Sequence, residues 1–538
     1  MRPLKSLIDL NSTSLLTNYQ QMQDLCNELR TKLDLSLSEG SDKYIERNKK
    51  RGKLLARERV ELLLDEDAPF LELMPLAGID QEIMTLGASI VAGIGLVSGV
   101  ECLISANVQT IKGGAINAMS VKKASRLDEV AFENNLPIIY LTESGGADLP
   151  QQAEIFNYGG KAFREITRRS KLGIPSICGV FGSSTAGGAY IPGMSDYVVM
   201  VKNQAKTYLA GPPLVKMAIN EIIDDETLGG ASMHSKESGL SDYLAEDEVD
   251  CIRIIREIVA NLNLNKETIF EKIEEIKDPI YDKEELLKVV SADVRVPFDS
   301  KEVIMRIVDG SVFSEFKPLY GPTLICGYAK IFGQTVGILA NNGVLFSDSA
   351  NKGAHFIQLC NKRSIPLIFL QNITGFMVGK DAEEGGIIKN GAKLINAVAN
   401  STVPAITIIM GGSYGAGNYG MCGRAYAPRF LFSYPNAKIA VMGSDQLAGV
   451  MEIIQEEKAK KDKSMLAKKI FDKAKGKVIK EALKKKIDEE SSAYYGTSRL
   501  WDDGVIDPRD TRTILGICLS SIYNNEIKGA DSFGVFRM

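Results

Sequence analysis

Four segments of this chain occur twice, in the same order, and that repetition limits the folds open to it before any single residue is interpreted. GIGLVSGVECLISANVQTI is mirrored by CGYAKIFGQTVGILANNGVL, and SVKKASRLDEVAFENN by SANKGAHFIQLCNKRS. LPIIYLTESGGA returns as IPLIFLQNITGF, and IPSICGVFGSSTAGG as VPAITIIMGGSYGAG. Pro137 and Pro366 stand 229 residues apart, as do Pro175 and Pro404. Coincidence does not produce four ordered matches at nearly one offset, so the chain reads as two tandem copies of one domain. Within each copy, apolar runs ending in Gly-rich turns alternate with segments of helical spacing, which predicts an α/β layered fold.

The join between the copies falls near residues 277–296, in the charged, Pro-marked IKDPIYDKEELLKVVSADVRVP. Residues 19–66 are charged and helical in tendency, so the expected organisation is an N-terminal helical collar over 1–66, a first domain over 67–280 and a second over 281–538. The Lys/Glu-rich run 454–490 predicts a solvated helical pair, with Met465, Leu466, Ile470 and Phe471 as its buried stripe.

Composition narrows the chemistry. A net charge of −4 gives no reason to expect nucleic acid or an anionic membrane as partner. No apolar stretch approaches the roughly 18 residues of a membrane span. The eight cysteines are scattered without C-x-x-C spacing, which predicts buried reduced thiols rather than a disulfide framework or zinc site. The N-terminus lacks a sustained apolar segment of the secretory kind. Arg2 and Lys5 ahead of Ser and Thr leave an organellar presequence open, and Asp9 argues against one. The expected location is the cytoplasm if the source is bacterial and the mitochondrial matrix if it is eukaryotic. Only two histidines occur, His234 and His355, so a polyhistidine metal centre is all but excluded and no metal is expected. Both read as packing residues, and the chemistry must lean on backbone donors or on a cofactor.

The glycine turns come at equivalent places in the two copies. The first copy has Gly145-Gly146 after one strand and Ala186-Gly187-Gly188 after the next; the second has Thr374-Gly375-Phe376 and Gly415-Ala416-Gly417. The last triplet aligns with Ala186-Gly187-Gly188 either directly or one step earlier. A lone glycine pair after a strand serves a tight turn more often than a site. Four of them, repeated across the copies, suggest backbone N–H groups aimed at an oxyanion, where one good donor contributes about 3 kcal/mol. Neither a GxxxxGK[ST] nor a GxGxxG arrangement stands at these turns, which counts against nucleotide hydrolysis and hydride transfer.

Longer motifs carry a resemblance. RGKLLARERVELLLD, SGGADLP, STAGGAYIPGMSD, LAGPPLVK, ANNGVLFSDSANKGAHF, FLQNITGFMVG, GGIIKNGAK, GGSYGAGNYGMCGRAYAPRF and FGVFRM resemble the carboxyltransferase (β) subunits of biotin-dependent acyl-CoA carboxylases, from about residue 45 to the C-terminus. Within that family the text is nearest to 3-methylcrotonyl-CoA carboxylase. Relatives acting on propionyl-type substrates typically read DVPGF where this chain has Asn372-Ile373-Thr374-Gly375-Phe376. The segment after PQQAEIF and the pair Ser232-Met233 depart from the family's usual text.

The resemblance implies a tandem pair of crotonase-like (ββα superhelix) domains. It implies transfer of CO2 from carboxybiotin to a branched enoyl-CoA, 3-methylcrotonyl-CoA giving 3-methylglutaconyl-CoA, a step of leucine catabolism. Geranyl-CoA, another acyl-CoA, or a glutaconyl-CoA-type decarboxylase is the alternative. Gly187 and Gly188 would donate to the thioester oxygen, and Gly415 and Ala416 to the ureido oxygen of biotin. Lys112, Gly113, Gly114, Gly145, Gly146 and Ala147 would line the CoA side, Thr374, Gly375, Phe376 and Gly417 the biotin side, and segment 321–350 would meet acyl-CoA. No Met-Lys-Met tetrapeptide or ATP-binding stretch is evident, so biotin would ride on a biotin carboxylase/biotin carrier α subunit. The β chain itself would form a homo-oligomer, a hexamer arranged as a trimer of dimers, with sites where the N domain of one subunit meets the C domain of another.

Overall fold

The computed structural model describes residues 3–81, 85–264, 276–461 and 469–538, without the side chains of 452, 455–461 and 469–479. The chain divides into two compact units: Thr31–Lys272 with Leu519–Glu526, and Met1–Arg30 with Ile273–Cys518 and Ile527–Met538. Both are mixed α/β units built on a largely parallel sheet.

In the first unit the described strands are β1 (Phe70–Glu72), β2 (Ile90–Val97), β3 (Val100–Asn107), β4 (Ile138–Ser144), β5 (Ser176–Thr185), β6 (Tyr197–Val201), β7 (Lys206–Tyr208) and β8 (Tyr243–Ala245). They follow the order β1-β2-β3-β4-β5-β6-β8, with β7 beside the far end of β5. β1-β2 and β2-β3 are antiparallel and the later pairings are parallel. The apolar runs are continuous because both faces of the sheet are covered. Ile139, Ile177 and Phe181 pack with Val60 and Leu63 of the helix Ala56–Leu63 and with Ile252 and Ile255 of Glu248–Ala260. Cys178, Val180 and Val198 pack on the opposite side. The helix Ala118–Glu133 starts where Asn117 Oδ1 accepts the Met119 and Ser120 N–H groups, each at 2.9 Å.

The second unit repeats the plan with β9 (Ser314–Glu315), β10 (Leu324–Ile331), β11 (Gln334–Asn341), β12 (Leu367–Ile373), β13 (Ala405–Tyr414), β14 (Phe430–Ser433) and β15 (Lys438–Ala440). Its order is β14-β13-β12-β11-β10-β9, and β15 pairs with β13 as β7 pairs with β5. The helix Ser347–Lys362 lies on Leu339, Leu367 and Phe369 through Phe356 and Ile357. Segment 321–350 is thus mostly the β10–β11 hairpin and the start of this helix.

These paired sheets are the crotonase-like tandem that the resemblance implied, and helices Thr13–Ser36, Asp42–Lys50 and Ala56–Leu63 occupy the charged N-terminal stretch. All eight cysteines are buried, and none forms a disulfide. The Lys/Glu-rich run forms helices Ser444–Lys461 and Lys469–Glu490; Met465 and Leu466, and the side chains of Ile470 and Phe471, lie outside what is described. Among the described residues no helix is long and apolar enough to cross a membrane.

Candidate active site: two equivalent glycine turns

In the first unit, β5 ends at Thr185 and the chain turns at Ala186, whose φ is +53°, into a helical turn Ala186–Ala189. Gly187 is exposed and Gly188 buried, with Ser184 Oγ donating to the Gly188 carbonyl at 2.9 Å. The first amides of a helical turn have no carbonyl of their own helix behind them.

The neighbouring turn, Gly145-Gly146, is tied by hydrogen bonds to the loop at 113–116. Gly145 N–H donates to Gly113 O at 3.0 Å, Ile116 N–H to Gly146 O at 2.9 Å, and Asp148 N–H to Ile116 O at 2.8 Å. Ser144 Oγ donates to Gly114 O at 2.7 Å and accepts from Gly146 N–H at 3.2 Å. Lys112 Nζ lies 3.6 Å from Asp148. Gly114 (φ +68°) packs so closely on the Glu143 carbonyl that any Cβ would overlap it, and a Cβ on Gly146 would meet Thr185 O at 3.6 Å. Lys112, Gly113, Gly114, Gly145, Gly146, Ala147, Gly187 and Gly188 therefore lie in one neighbourhood.

The second unit builds the same object. β13 ends at Tyr414, Gly415 takes φ +55°, and the helix Gly415–Gly420 follows. Leu345 N–H donates to Gly375 O at 3.1 Å and Met377 N–H to Leu345 O at 2.8 Å, matching the pattern around Ile116. Leu345 bridges Phe376 as Ile116 bridges Ala147. A Cβ on Gly417 would stand 2.6 Å from Ile373 and 3.2 Å from Gly375 Cα. Thr374, Gly375, Phe376, Gly415, Ala416 and Gly417 are thus brought together. The positive φ at Ala186 and Gly415 resolves the alignment left open by sequence: Gly187 corresponds to Ala416, both exposed, and Gly188 to Gly417, both buried.

Behind each turn lies a bulge that the sequence does not announce. β4 and β5 pair Thr142 with Val180 and then Ser144 with Ser184, so Phe181, Gly182 and Ser183 oppose the single residue Glu143. β12 and β13 shift identically between Gln371↔Ile409 and Ile373↔Ser413, with Asn372 opposite the excess. In the first unit Lys53 Nζ donates to Phe181 O at 3.0 Å and to the Glu143 carboxylate, and Arg59 joins Glu143 and Glu248 at 2.8 Å each. Burial works against the Arg59 charge, yet its bonds to Glu248 and the field of Glu143 more than offset this and raise its pKa. In the second unit neutral amides fill these places. Asn436 Nδ2 donates to Met410 O at 2.9 Å, and Asn372 Oδ1 accepts from Gly412 N–H at 3.2 Å. Ser413 Oγ donates to Gln371 Oε1 at 2.6 Å and accepts from Asn418 Nδ2 at 2.8 Å.

The histidines stand apart from these contacts. His234 bonds Ser238 Oγ and Thr207 O through its two ring nitrogens, both at 2.7 Å, so its hydrogen-bonding capacity is used locally. His355 meets Lys317 Nζ at 3.1 Å and the Phe316 ring edge-on.

Two crotonase-like units, each delivering a strand end to a glycine turn that opens a helical turn, place the chain among the crotonase-like tandem enzymes. The family model described as "Carboxyl transferase domain" matches residues 47–536, and the chain belongs to that family. It is 54% identical to the probable biotin-dependent acyl-coenzyme A carboxylase beta2 subunit of Mycobacterium tuberculosis, over 99% of this chain and 100% of that protein. It is 49% identical to the biotin-dependent 3-methylcrotonyl-coenzyme A carboxylase beta1 subunit of the same organism, over 96% of this chain and 97% of that one. Among solved structures, the beta subunit of P. aeruginosa geranyl-CoA carboxylase is similar with a TM-score of 0.89 and 45% identity, covering 99% of each chain. The expected family is therefore borne out, and the enzyme is an acyl-CoA carboxyltransferase.

Proposed function

We propose that this chain is the carboxyltransferase subunit that moves a carboxyl group from biotin to 3-methylcrotonyl-CoA, forming 3-methylglutaconyl-CoA. The observation that carries the reading is the equivalence of the two turns, Ala186-Gly187-Gly188 and Gly415-Ala416-Gly417, because the reaction develops charge on two oxygens and each needs its own donors. The Gly187 and Gly188 amides receive the thioester oxygen as it takes on enolate character. The Gly415 and Ala416 amides, a pair set one step earlier than the exact counterpart of Gly187-Gly188, receive the ureido oxygen of biotin, with Gly417 letting the backbone of Gly375 come close. Biotin, when delivered, supplies the carboxyl group. The second turn fits a ureido group: Gln371, Asn372, Ser413 and Asn418 around it are neutral hydrogen-bonding side chains.

Lys112, Gly113, Gly114, Gly145, Gly146 and Ala147 hold the CoA side, and Thr374 and Phe376 border the biotin side. The relatives named as biotin-dependent support a separate biotin-carrying α subunit as partner. We extend this to a β hexamer, arranged as a trimer of dimers, whose compartment is the cytoplasm in a bacterium and the mitochondrial matrix in a eukaryote. Geranyl-CoA is the second reading, favoured by the likeness to the geranyl-CoA carboxylase beta subunit. The test is bicarbonate fixation by the complex with its α subunit across 3-methylcrotonyl-CoA, geranyl-CoA and propionyl-CoA. The highest kcat/KM is expected with 3-methylcrotonyl-CoA. A higher value with geranyl-CoA transfers the assignment, and fixation on neither branched substrate overturns both.

A further inference from the structure

We propose that Lys53 and Glu143, backed by Arg59, are positioning residues for the acyl-side turn, acting through the bulge in β5; this rests on the assignment of that turn to the thioester. The bulge bends β5 just before it delivers Thr185 and Ala186. Two contacts fix its shape. The Phe181 carbonyl is held by Lys53 Nζ at 3.0 Å, and Glu143 lies against Gly182 so closely that any Cβ there would overlap its carboxylate. The backbone after Glu143 is also the other turn: Ser144 ties Gly114 and Gly146 together, and the Glu143 carbonyl packs on Gly114. One side chain thus touches the strand feeding Gly187 while its own backbone feeds Gly145.

The second copy shows that the bulge itself does not require charge. There Asn436 takes the Met410 carbonyl and Asn372 the Gly412 amide, and the strands shift between the same two positions. The first copy instead encloses a carboxylate between two cations, with Glu143 and Arg59 both almost wholly buried. Charge-assisted hydrogen bonds are shorter and about twice as strong as neutral ones, so this arrangement allows the bulge less play. Donors that must meet a developing oxyanion are sensitive to small displacements, and an error of about 1 Å costs on the order of 100-fold in rate.

The experiment uses the complex with its biotin-carrying subunit and compares Glu143→Gln, Lys53→Met and Lys53→Arg with the parent. Three quantities are read: kcat and KM for 3-methylcrotonyl-CoA, KM for free biotin as acceptor in the reverse transfer, and the melting temperature. Glu143→Gln and Lys53→Met are expected to lower kcat/KM for the acyl-CoA by about 100-fold while leaving the KM for biotin within about twofold. Lys53→Arg, which can still donate to Glu143 and Phe181, should recover most of that loss. Equal proportional changes on the acyl-CoA and biotin sides, or folded variants within about twofold of the parent, would overturn the proposal. Should Glu143→Gln fail to fold, the charge-balanced pair Lys53→Met with Glu143→Gln carries the same readouts. A parent complex inactive on every acyl-CoA would sink the functional assignment instead, so the two failures are distinguishable.

Discussion

The two copies solve one geometric problem with different chemistry. Each must hold a strand bulge behind a glycine turn; the first does so with Lys53, Arg59, Glu143 and Glu248, the second with Asn372 and Asn436. Because strand order, bulge position and turn backbone agree, the difference cannot be ascribed to the fold. It isolates what charge adds: stiff, charge-assisted bonds, together with vulnerability when one partner is lost. Removing one member of a buried ion network strands the others in low dielectric, at about 3–5 kcal/mol, whereas losing one neutral hydrogen-bond partner costs about 1–3 kcal/mol. Arg59→Met should therefore destabilise the first unit about twofold more, in kcal/mol, than Asn372→Ala destabilises the second. Calorimetric unfolding of both variants checks this, and equal losses would erase the distinction.

The turns differ in clearance as well. A Cβ on Gly188 would find Ser184 Oγ at 3.8 Å, an ordinary contact, while one on Gly417 would press on Ile373 at 2.6 Å and on the Gly375 backbone at 3.2 Å. Gly417→Ala is expected to lower stability by about 1–3 kcal/mol, the usual cost of overpacking, and to reduce transfer with it. Gly188→Ala should leave the melting temperature near that of the parent, so that any loss of activity reports on the substrate side of the turn. A stable Gly417→Ala protein would show that the second turn can relax as the first can.

Much of this was legible beforehand. The constant offset between the prolines and the repeated apolar runs implied two α/β units, and the repetition of the glycine turns marked where each would present backbone donors. What lay hidden depended on pairing register. FGSST and MGGSY read as ordinary strand ends, and only the shift between Thr142↔Val180 and Ser144↔Ser184 reveals a bulge with a carbonyl to satisfy. Lys53 and Arg59 stand in a charged helical stretch whose spacing exposes the Val60–Leu63 apolar face, but spacing does not say that a guanidinium shares it; Arg59 is 1% exposed. The alignment of Ala186 with Gly415 likewise needed the backbone, because an alanine at positive φ has no sequence signature.

The smallest effect tests how far the equivalence of the copies extends beyond the turns. At the 229-residue offset His355 occupies the place of Arg126, so the same helix position holds a permanent cation in one copy and a titratable group in the other. Partial burial and then the Lys317 ammonium, 3.1 Å away, lower the His355 pKa below its ordinary 6.5. A lowered imidazole pKa means that the unfolded chain binds the proton more readily than the folded one. His355 should therefore cost stability as the pH falls through 6.5, and not above it. Lys317→Met removes the second cause, so the His355 pKa should rise toward 6.5 and the acid-side loss should shrink. With two histidines in the chain, an NMR titration of carbon-labelled imidazoles reads the His355 pKa directly. An unchanged His355 pKa in Lys317→Met would leave burial alone as the cause. This helix position would then be tuned by its packing against Phe316 rather than by a neighbouring charge.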